Sequence, residues 1–188
     1  MIYPYQLTSF DAYKEAYKKS IEDPAAFWGD IANHFTWRKK WDTTLEWNFK
    51  EPKVEWFIGG KLNITENCLD RHVKDKPNQP AIIWEPNDPN EESITITYRQ
   101  LFERVCRFGN VLKRNGVKKG DRVCIYMPMI PELSIAVLAC ARLGAIHSVV
   151  FAGFSAVSVA DRIKDAQCNV VLTSDFNARG DKNIPVKK

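Results

Sequence analysis

From Thr97 onward the chain alternates short apolar runs with segments of helical periodicity, a pattern that few folds accommodate. Thr97 and Gln100 form a capping box. Leu101, Val105, Phe108, Val111 and Leu112 then line one helical face, and Gly116 is placed to end the helix. Residues 122–127 read as a strand, Pro128 to Pro131 as a turn, and residues 132–143 as a second helix ended by Gly144. Residues 146–151 read as the next strand, Ser155 as the cap of a helix through about Asp165, and residues 169–173 as a third strand. Strands joined by single helices pair in parallel through right-handed crossovers. The predicted fold class is therefore α/β, a partly parallel layered sheet flanked by helices. The loops at Pro128, Ala152 and Ser174 all follow strand ends. They are predicted to gather at the carboxyl edge, where open α/β sheets bind ligands.

The preceding part of the chain is less regular. Residues 1–60 are read as an aromatic-rich helical and coil lobe, and residues 61–188 as the first part of a larger α/β domain. Thr8 and Asp11 are the expected capping box of a helix bearing Phe10, Tyr13 and Tyr17. Asp23-Pro24 starts a second helix with Asp as N-cap and Pro at the first helical position, and Phe27, Trp28, Ile31, Ala32 and Phe35 form its packing stripe. Trp37, Trp41, Trp47 and Trp56 follow without clean periodicity and are read as ordered coil. After Gly59-Gly60, residues 64–73 suggest a short helix, residues 77–80 a turn, and residues 81–84 and 93–98 two strands around a polar loop.

Composition narrows the function classes. Lys and Arg number 27 against 23 Asp and Glu, giving a net charge of +4. Acidic residues interrupt most basic runs, which speaks against nucleic acid as a partner. Five cysteines lie apart with no C-x-x-C, and the three histidines form no H-x-x-x-H pair, so neither a disulfide framework nor a zinc site is expected. The N-terminus lacks a signal-peptide pattern, and no apolar run approaches the ~20 residues that cross a bilayer, so a cytoplasmic, non-membrane protein is expected.

Chemistry-bearing motifs are few. Gly59-Gly60-Lys61 lacks the spacing of a phosphate-binding P-loop and reads as a turn. Gly153-Phe154-Ser155 is better read as a helix start than as a nucleophile turn. No catalytic or metal-ligating set is identifiable. Two loops admit a binding role. Phe151-Ala152-Gly153-Phe154-Ser155 brings unobstructed backbone to a helix N-terminus, where N–H groups can face an anion. Arg179-Gly180-Asp181-Lys182 places a guanidinium and an ammonium around a glycine, a pair able to hold phosphate oxygens. On spacing alone the second is more often an ordinary polar loop. Without a secretory signal, its Arg-Gly-Asp tripeptide carries no adhesion role.

Ordered stretches along nearly the whole chain resemble AMP-forming acetyl-CoA synthetases of the adenylate-forming superfamily. They comprise residues 20–24 with Phe27-Trp28, then Trp56-Phe57-Ile58-Gly59-Gly60-Lys61-Leu62-Asn63 and Asn67-Cys68-Leu69-Asp70-Arg71-His72. Residues 80–85, residues 116–123, Tyr126-Met127-Pro128-Met129-Ile130-Pro131-Glu132 and residues 147–151 continue the series. The resemblance implies conversion of acetate, ATP and CoA to acetyl-CoA, AMP and pyrophosphate through acetyl-adenylate, with Mg²⁺ handling the phosphoryl charge. It implies that the Ser/Thr/Gly-rich phosphate loop, the acetate pocket, the adenosine-binding residues and the catalytic lysine lie beyond residue 188. On that basis the chain is an N-terminal fragment, inactive alone, whose unpaired sheet edges invite self-association. Propionyl-CoA or acetoacetyl-CoA synthetase is the near alternative, and a stand-alone CoA-binding or interaction module the more distant one.

The resemblance also assigns one site. Arg179, Gly180, Asp181 and Lys182, ahead of Ile184-Pro185, look like the loop that binds the phosphates of CoA, with Phe151 and Gly153 of the aromatic-Gly-Gly-aromatic loop beside it. Asp181 and Ala152 stand where that family usually has glycine.

Overall fold

The computed structural model describes residues 6–179 and 182–187, Arg179 by its backbone alone. They divide into two compact units, Met1–Asn63 and Ile64–Lys188.

In the first unit, helix α1 (Phe10–Glu22) is capped by Ser9, whose hydroxyl accepts from the Ala12 N–H. The expected Thr8/Asp11 box does not form, because Ser9 has the extended backbone an N-cap needs and Asp11 lies inside the first turn, paired with Lys14. Helix α2 (Pro24–Ala32) starts as expected, with the Asp23 carboxylate accepting from the Ala26 N–H and Pro24 at the first position. Phe35 lies beyond the end of α2, so the expected stripe is shorter than the sequence suggests.

The tryptophan-rich stretch expected as coil instead holds an antiparallel hairpin, β1 (Thr43–Asn48) and β2 (Lys53–Ile58). Its register places Leu45 opposite Trp56 and Trp47 opposite Val54. Glu46 lies opposite Glu55, and Lys53 bridges both carboxylates at 3.2 and 2.8 Å. Without that ammonium the facing carboxylates would repel. The turn after β2 requires its two glycines. Gly59 has φ +77°, and a Cβ there would collide with the Asp42 carboxylate, while one on Gly60 would lie 2.7 Å from the Trp37 ring. Trp37 itself packs against Trp41 and Phe57. Gly59-Gly60-Lys61 is thus a packing turn.

The second unit opens with a π-helical segment, Glu66–Asp70, running into the short helix α3 (Arg71–Asp75). Strands β3 (Pro80–Trp84) and β4 (Ile94–Thr97) pair antiparallel. Helix α4 (Tyr98–Arg114) begins at the predicted Thr97/Gln100 capping box, in which both reciprocal hydrogen bonds are present. Strand β5 (Arg122–Met127) is followed by α5 (Pro131–Leu143), β6 (Ile146–Phe151), α6 (Ala156–Ala166) and β7 (Val170–Thr173). These strands form a parallel sheet of order β6-β5-β7. Alternation along β5 divides the core. Val123 and Ile125 join Leu101, Val105 and Leu112 of α4 and Ile135, Ala136, Ala139 and Cys140 of α5. Cys124 and Tyr126 join Val159 and Ile163 of α6. Burial of each large aliphatic here contributes about 1.5–3 kcal/mol, and the small residues on α5 let it lie close to α4. The predicted α/β class, a partly parallel sheet flanked by helices, is what the chain adopts.

Candidate nucleotide-binding cleft

Met127 is in register with Phe151, and Tyr126 with Thr173, so the three parallel strands end together. The loops after them border one cleft of about 1470 Å³ at the carboxyl edge, lined among others by Trp84, Met129, Phe151, Thr173, Asn177 and Asn183. The sequence-predicted gathering of these loops is therefore realised.

The Phe151 loop is held from below. The Tyr126 hydroxyl donates to the Phe154 carbonyl at 2.8 Å, with the Ala152 carbonyl at 3.4 Å. Phe151 and Phe154 meet edge to face, and the Arg162 guanidinium lies 5.3 Å from the Phe154 ring centre. Ala152 is buried, whereas Phe151 is 58% exposed and lines the cleft. A Cβ on Gly153 would lie 2.6 Å from the Phe151 ring, so the ring keeps this position only over a glycine. Ser155 caps α6 by accepting from the Ser158 N–H.

The stretch around Arg179, read as a loop from sequence, is the end of a hairpin. Strand β8 (Phe176–Arg179) pairs antiparallel with β9 (Lys182–Pro185), and Arg179 stands in register with Lys182. Polar residues on both strands obscured the pairing, although Gly180-Asp181 is itself one of the two-residue hairpin signals. Gly180 and Asp181 lie outside the described residues. Asn177 and Ala178 of β8 and Asn183 of β9 line the cleft, so the hairpin that carries Arg179 and Lys182 flanks the same cavity as Phe151. Gly153 is two residues from that lining.

Charge is unevenly distributed. Glu85, Asp88, Glu91, Glu132 and Asp175 line the cleft, and no Lys or Arg does so among the residues whose side chains are described. Cationic positions are found instead at the paired ends of β8 and β9.

Two features escaped sequence reasoning. The Trp84 indole donates to the Met129 carbonyl at 2.8 Å, tying β3 to the loop after β5. Asn177 is only 8% exposed and lines the cleft. Neither has a local signature, since both depend on elements distant in sequence. Among the described residues, no group of three or more His, Cys, Asp or Glu is placed to hold a metal ion, so no residue here is assigned to Mg²⁺. No helix of the described residues is long and apolar enough to cross a membrane.

The sequence profile of the AMP-binding enzymes matches residues 69–188, and that of the acetyl-coenzyme A synthetase N-terminus matches residues 13–68. Acetyl-coenzyme A synthetase of Alkalilimnicola ehrlichii is 53% identical over 178 residues, covering 94% of this chain and 27% of that protein. Acetyl-coenzyme A synthetase 2 of Pseudomonas aeruginosa is 52% identical over 179 residues, covering 95% and 28%. Among solved structures, acetoacetyl-CoA synthetase from Streptomyces lividans superposes with a TM-score of 0.84 at 27% identity, over 95% of this chain and 27% of that one. The chain thus spans little more than a quarter of the length of these relatives.

Proposed function

We propose, since this chain belongs to the AMP-binding enzyme family and carries an acetyl-coenzyme A synthetase N-terminus, that it supplies the CoA nucleotide site of an acetate–CoA ligase. In that reaction an acetate oxygen attacks the α-phosphorus of ATP and pyrophosphate leaves. The CoA sulfur then attacks the acyl carbon, and AMP leaves with the bonding electrons. Acetate is favoured over acetoacetate because identity to acetyl-coenzyme A synthetases is about twice that to the acetoacetyl-CoA enzyme.

The observation that carries the reading is the pairing of Arg179 with Lys182 at the end of a hairpin whose strands line the carboxyl-edge cleft. Two cations at that end suit the phosphates of the CoA nucleotide, with the Arg fork able to take two oxygens at once. Phe151 offers an exposed ring to the base, and Gly153 keeps that ring in place. Asp181, between Arg179 and Lys182 in sequence, is an acidic residue where the resembling family usually has glycine.

Calorimetry of the chain with CoA tests the assignment. Binding is expected to weaken with added salt, and Arg179→Ala to lower affinity about 3- to 10-fold, the range of one charge-assisted contact near solvent. Asp181→Gly is expected to raise it. Tight binding indifferent to Arg179→Ala would remove this loop from the site. ATP, acetate and Mg²⁺ are not assigned to residues of this chain, so no pyrophosphate release is expected when it is incubated with all three; clear turnover would overturn that expectation. The reading places the protein in the cytoplasm with small-molecule partners. Strands β6 and β7 are the outer strands of their sheet and carry exposed Ile146, Val149 and Val171, which favours self-association of the chain; a strict monomer by light scattering at high concentration would refute it.

A further inference from the structure

Charge in the second unit is sorted by place in the fold as well as in sequence. From Arg104 to Gly120 the chain carries six cations, Arg104, Arg107, Lys113, Arg114, Lys118 and Lys119, and no Asp or Glu. All six residues are exposed, and none of them forms an ion pair among the described residues. Arg104, Arg107 and Arg114 recur at helical spacing on the face of α4 opposite Val105 and Leu112, which pack in the core. Lys118 and Lys119 follow just past the helix end. There the Gly120 N–H donates to the Gly144 carbonyl and the Ile146 N–H to the Asp121 carbonyl, so this basic end stands where β5 and β6 begin, at the amino edge of the sheet. Asp121 is the next carboxylate along the chain, and it accepts from the Lys118 backbone N–H at 2.8 Å.

The opposite sign collects at the other edge. The loop joining β3 to β4 holds four carboxylates, Glu85, Asp88, Glu91 and Glu92, and no Lys or Arg. All four residues are exposed, and none forms an ion pair among the described residues. The loop has a defined shape. The Asp88 carboxylate accepts from the backbone and side-chain N–H groups of Asn90, and the Asp88 carbonyl accepts from the Glu91 N–H. The Trp84 bond to the Met129 carbonyl holds the start of the loop at the carboxyl edge. A six-residue strand such as β5 spans about 20 Å, roughly twice the screening length of about 8–10 Å at ordinary salt. The acidic loop and the basic end therefore do not neutralise each other within one copy. A second copy can bring them together, its carboxylates meeting Arg forks that accept two oxygens at once. Because the two surfaces differ, such a contact is head to tail and can repeat.

We propose that the basic end of α4 in one copy of the chain receives the Glu85–Glu92 loop of a second copy. The contact is independent of the nucleotide reading, and its salt response separates it from association through the apolar edges of β6 and β7, which sodium chloride does not weaken. In sedimentation velocity at about 20 mM sodium chloride, the weight-average mass is expected to rise with concentration, and the association to be at least about 10-fold weaker at about 300 mM. Glu91→Lys/Glu92→Lys and Arg107→Glu/Lys118→Glu, each with native circular dichroism, are expected to lose the association separately. Their equimolar mixture is expected to regain it, because the reversed surfaces complement each other again. Arg107→Gln/Lys118→Gln, which removes the charges without reversing them, tests the loss alone should the reversed variant fold poorly. A wild-type chain that is monomeric at low salt, association indifferent to salt, association that survives either charge reversal, or a mixture that stays monomeric overturns the proposal. If the wild-type chain stays monomeric yet binds a polyglutamate peptide or a single-stranded oligonucleotide in the same buffer, and Arg107→Glu/Lys118→Glu abolishes that binding, the basic face serves another partner and the second copy is ruled out.

Discussion

The pair Arg142–Asp70 offers a quantitative test of how the second unit is held together. Arg142 in the last turn of α5 reaches Asp70 at the π-helical segment through two parallel contacts, 2.8 and 3.1 Å, and Thr65 through a third at 3.3 Å. The side chains are 25% and 30% exposed. Exposed pairs contribute about 0.2–1 kcal/mol and charge-assisted hydrogen bonds about 1.5–3 kcal/mol. Two-point geometry and partial burial place this one between those ranges, at about 1–1.5 kcal/mol of coupling. Single substitutions cannot isolate that value. Arg142→Gln also forfeits the contact with the Phe102 ring, 5.0 Å away, and a favourable charge at a helix C-terminus. Asp70→Asn removes the carboxylate charge from a partly buried guanidinium, which keeps Thr65 and the Phe102 ring. Each is expected to cost about 2 kcal/mol, and the double-mutant cycle subtracts what the pair does not share. Circular dichroism at 222 nm is the appropriate probe for urea unfolding, because most of the helical residues, those of α4, α5 and α6, belong to the second unit. Tryptophan fluorescence reports mainly on the first unit, where Trp28, Trp37, Trp41, Trp47 and Trp56 lie. In 1 M salt, where the screening length is about 3 Å, the coupling is expected to keep more than half its value. Coupling under about 0.3 kcal/mol, or its loss in salt, would show the geometry to contribute no more than an exposed pair.

Other substitutions probe backbone, titration and burial. Gly144→Ala is expected to destabilise by about 1–2 kcal/mol, since Gly144 has φ +74° at the C-cap of α5, whereas Gly109→Ala within α4, where a Cβ meets nothing nearer than a Leu143 methyl at 4.0 Å, should stabilise by up to about 1 kcal/mol; urea midpoints of equal sign would contradict this. Burial, with Lys76 and Arg71 nearby, holds His72 below its ordinary pKa of 6.5. The unfolded chain then takes up the proton first, so this contribution is complete above pH 6.5 and is lost as pH falls below it; His72→Gln should flatten the decline, and an unchanged slope would exclude His72 as its source. Burial pushes the Cys140 thiol up to about 11, so iodoacetamide at pH 8 should modify the exposed Cys68 well before Cys140, and equal rates in the native chain would show α5 to be loosely packed.

What could be read in advance was decided within a few residues of chain. Thr97 with Gln100, Asp23 with Pro24, Ser155 and Gly144 act through hydrogen bonds or φ values spanning a single turn, and the helices begin or end where those residues stand. The parallel strands were legible for the same reason, as apolar runs between well-marked helices. The two hairpins were not, although their alternation is visible in retrospect. Glu46, Lys53 and Glu55 alternate with Leu45, Trp47, Val54 and Trp56, but only pairing shows that Lys53 neutralises two facing carboxylates. In β8 and β9 the residues are too polar to advertise a strand, and only the register reveals that Arg179 faces Lys182.

The cleft carries the same lesson further. Its parts come from β3, from the loops after β5 and β6, and from the final hairpin, so no window of sequence contains it. Asn177 shows the consequence most sharply. In sequence it is one polar residue among several, whereas in the fold it is a nearly buried amide on the wall of a cavity that five carboxylates also line. Resemblance to known synthetases could point to Arg179 and Lys182 as the proposed phosphate contacts, because their local pattern resembles a loop of that family. It could not point to Asn177, whose burial and place in the cleft wall depend on elements distant in sequence.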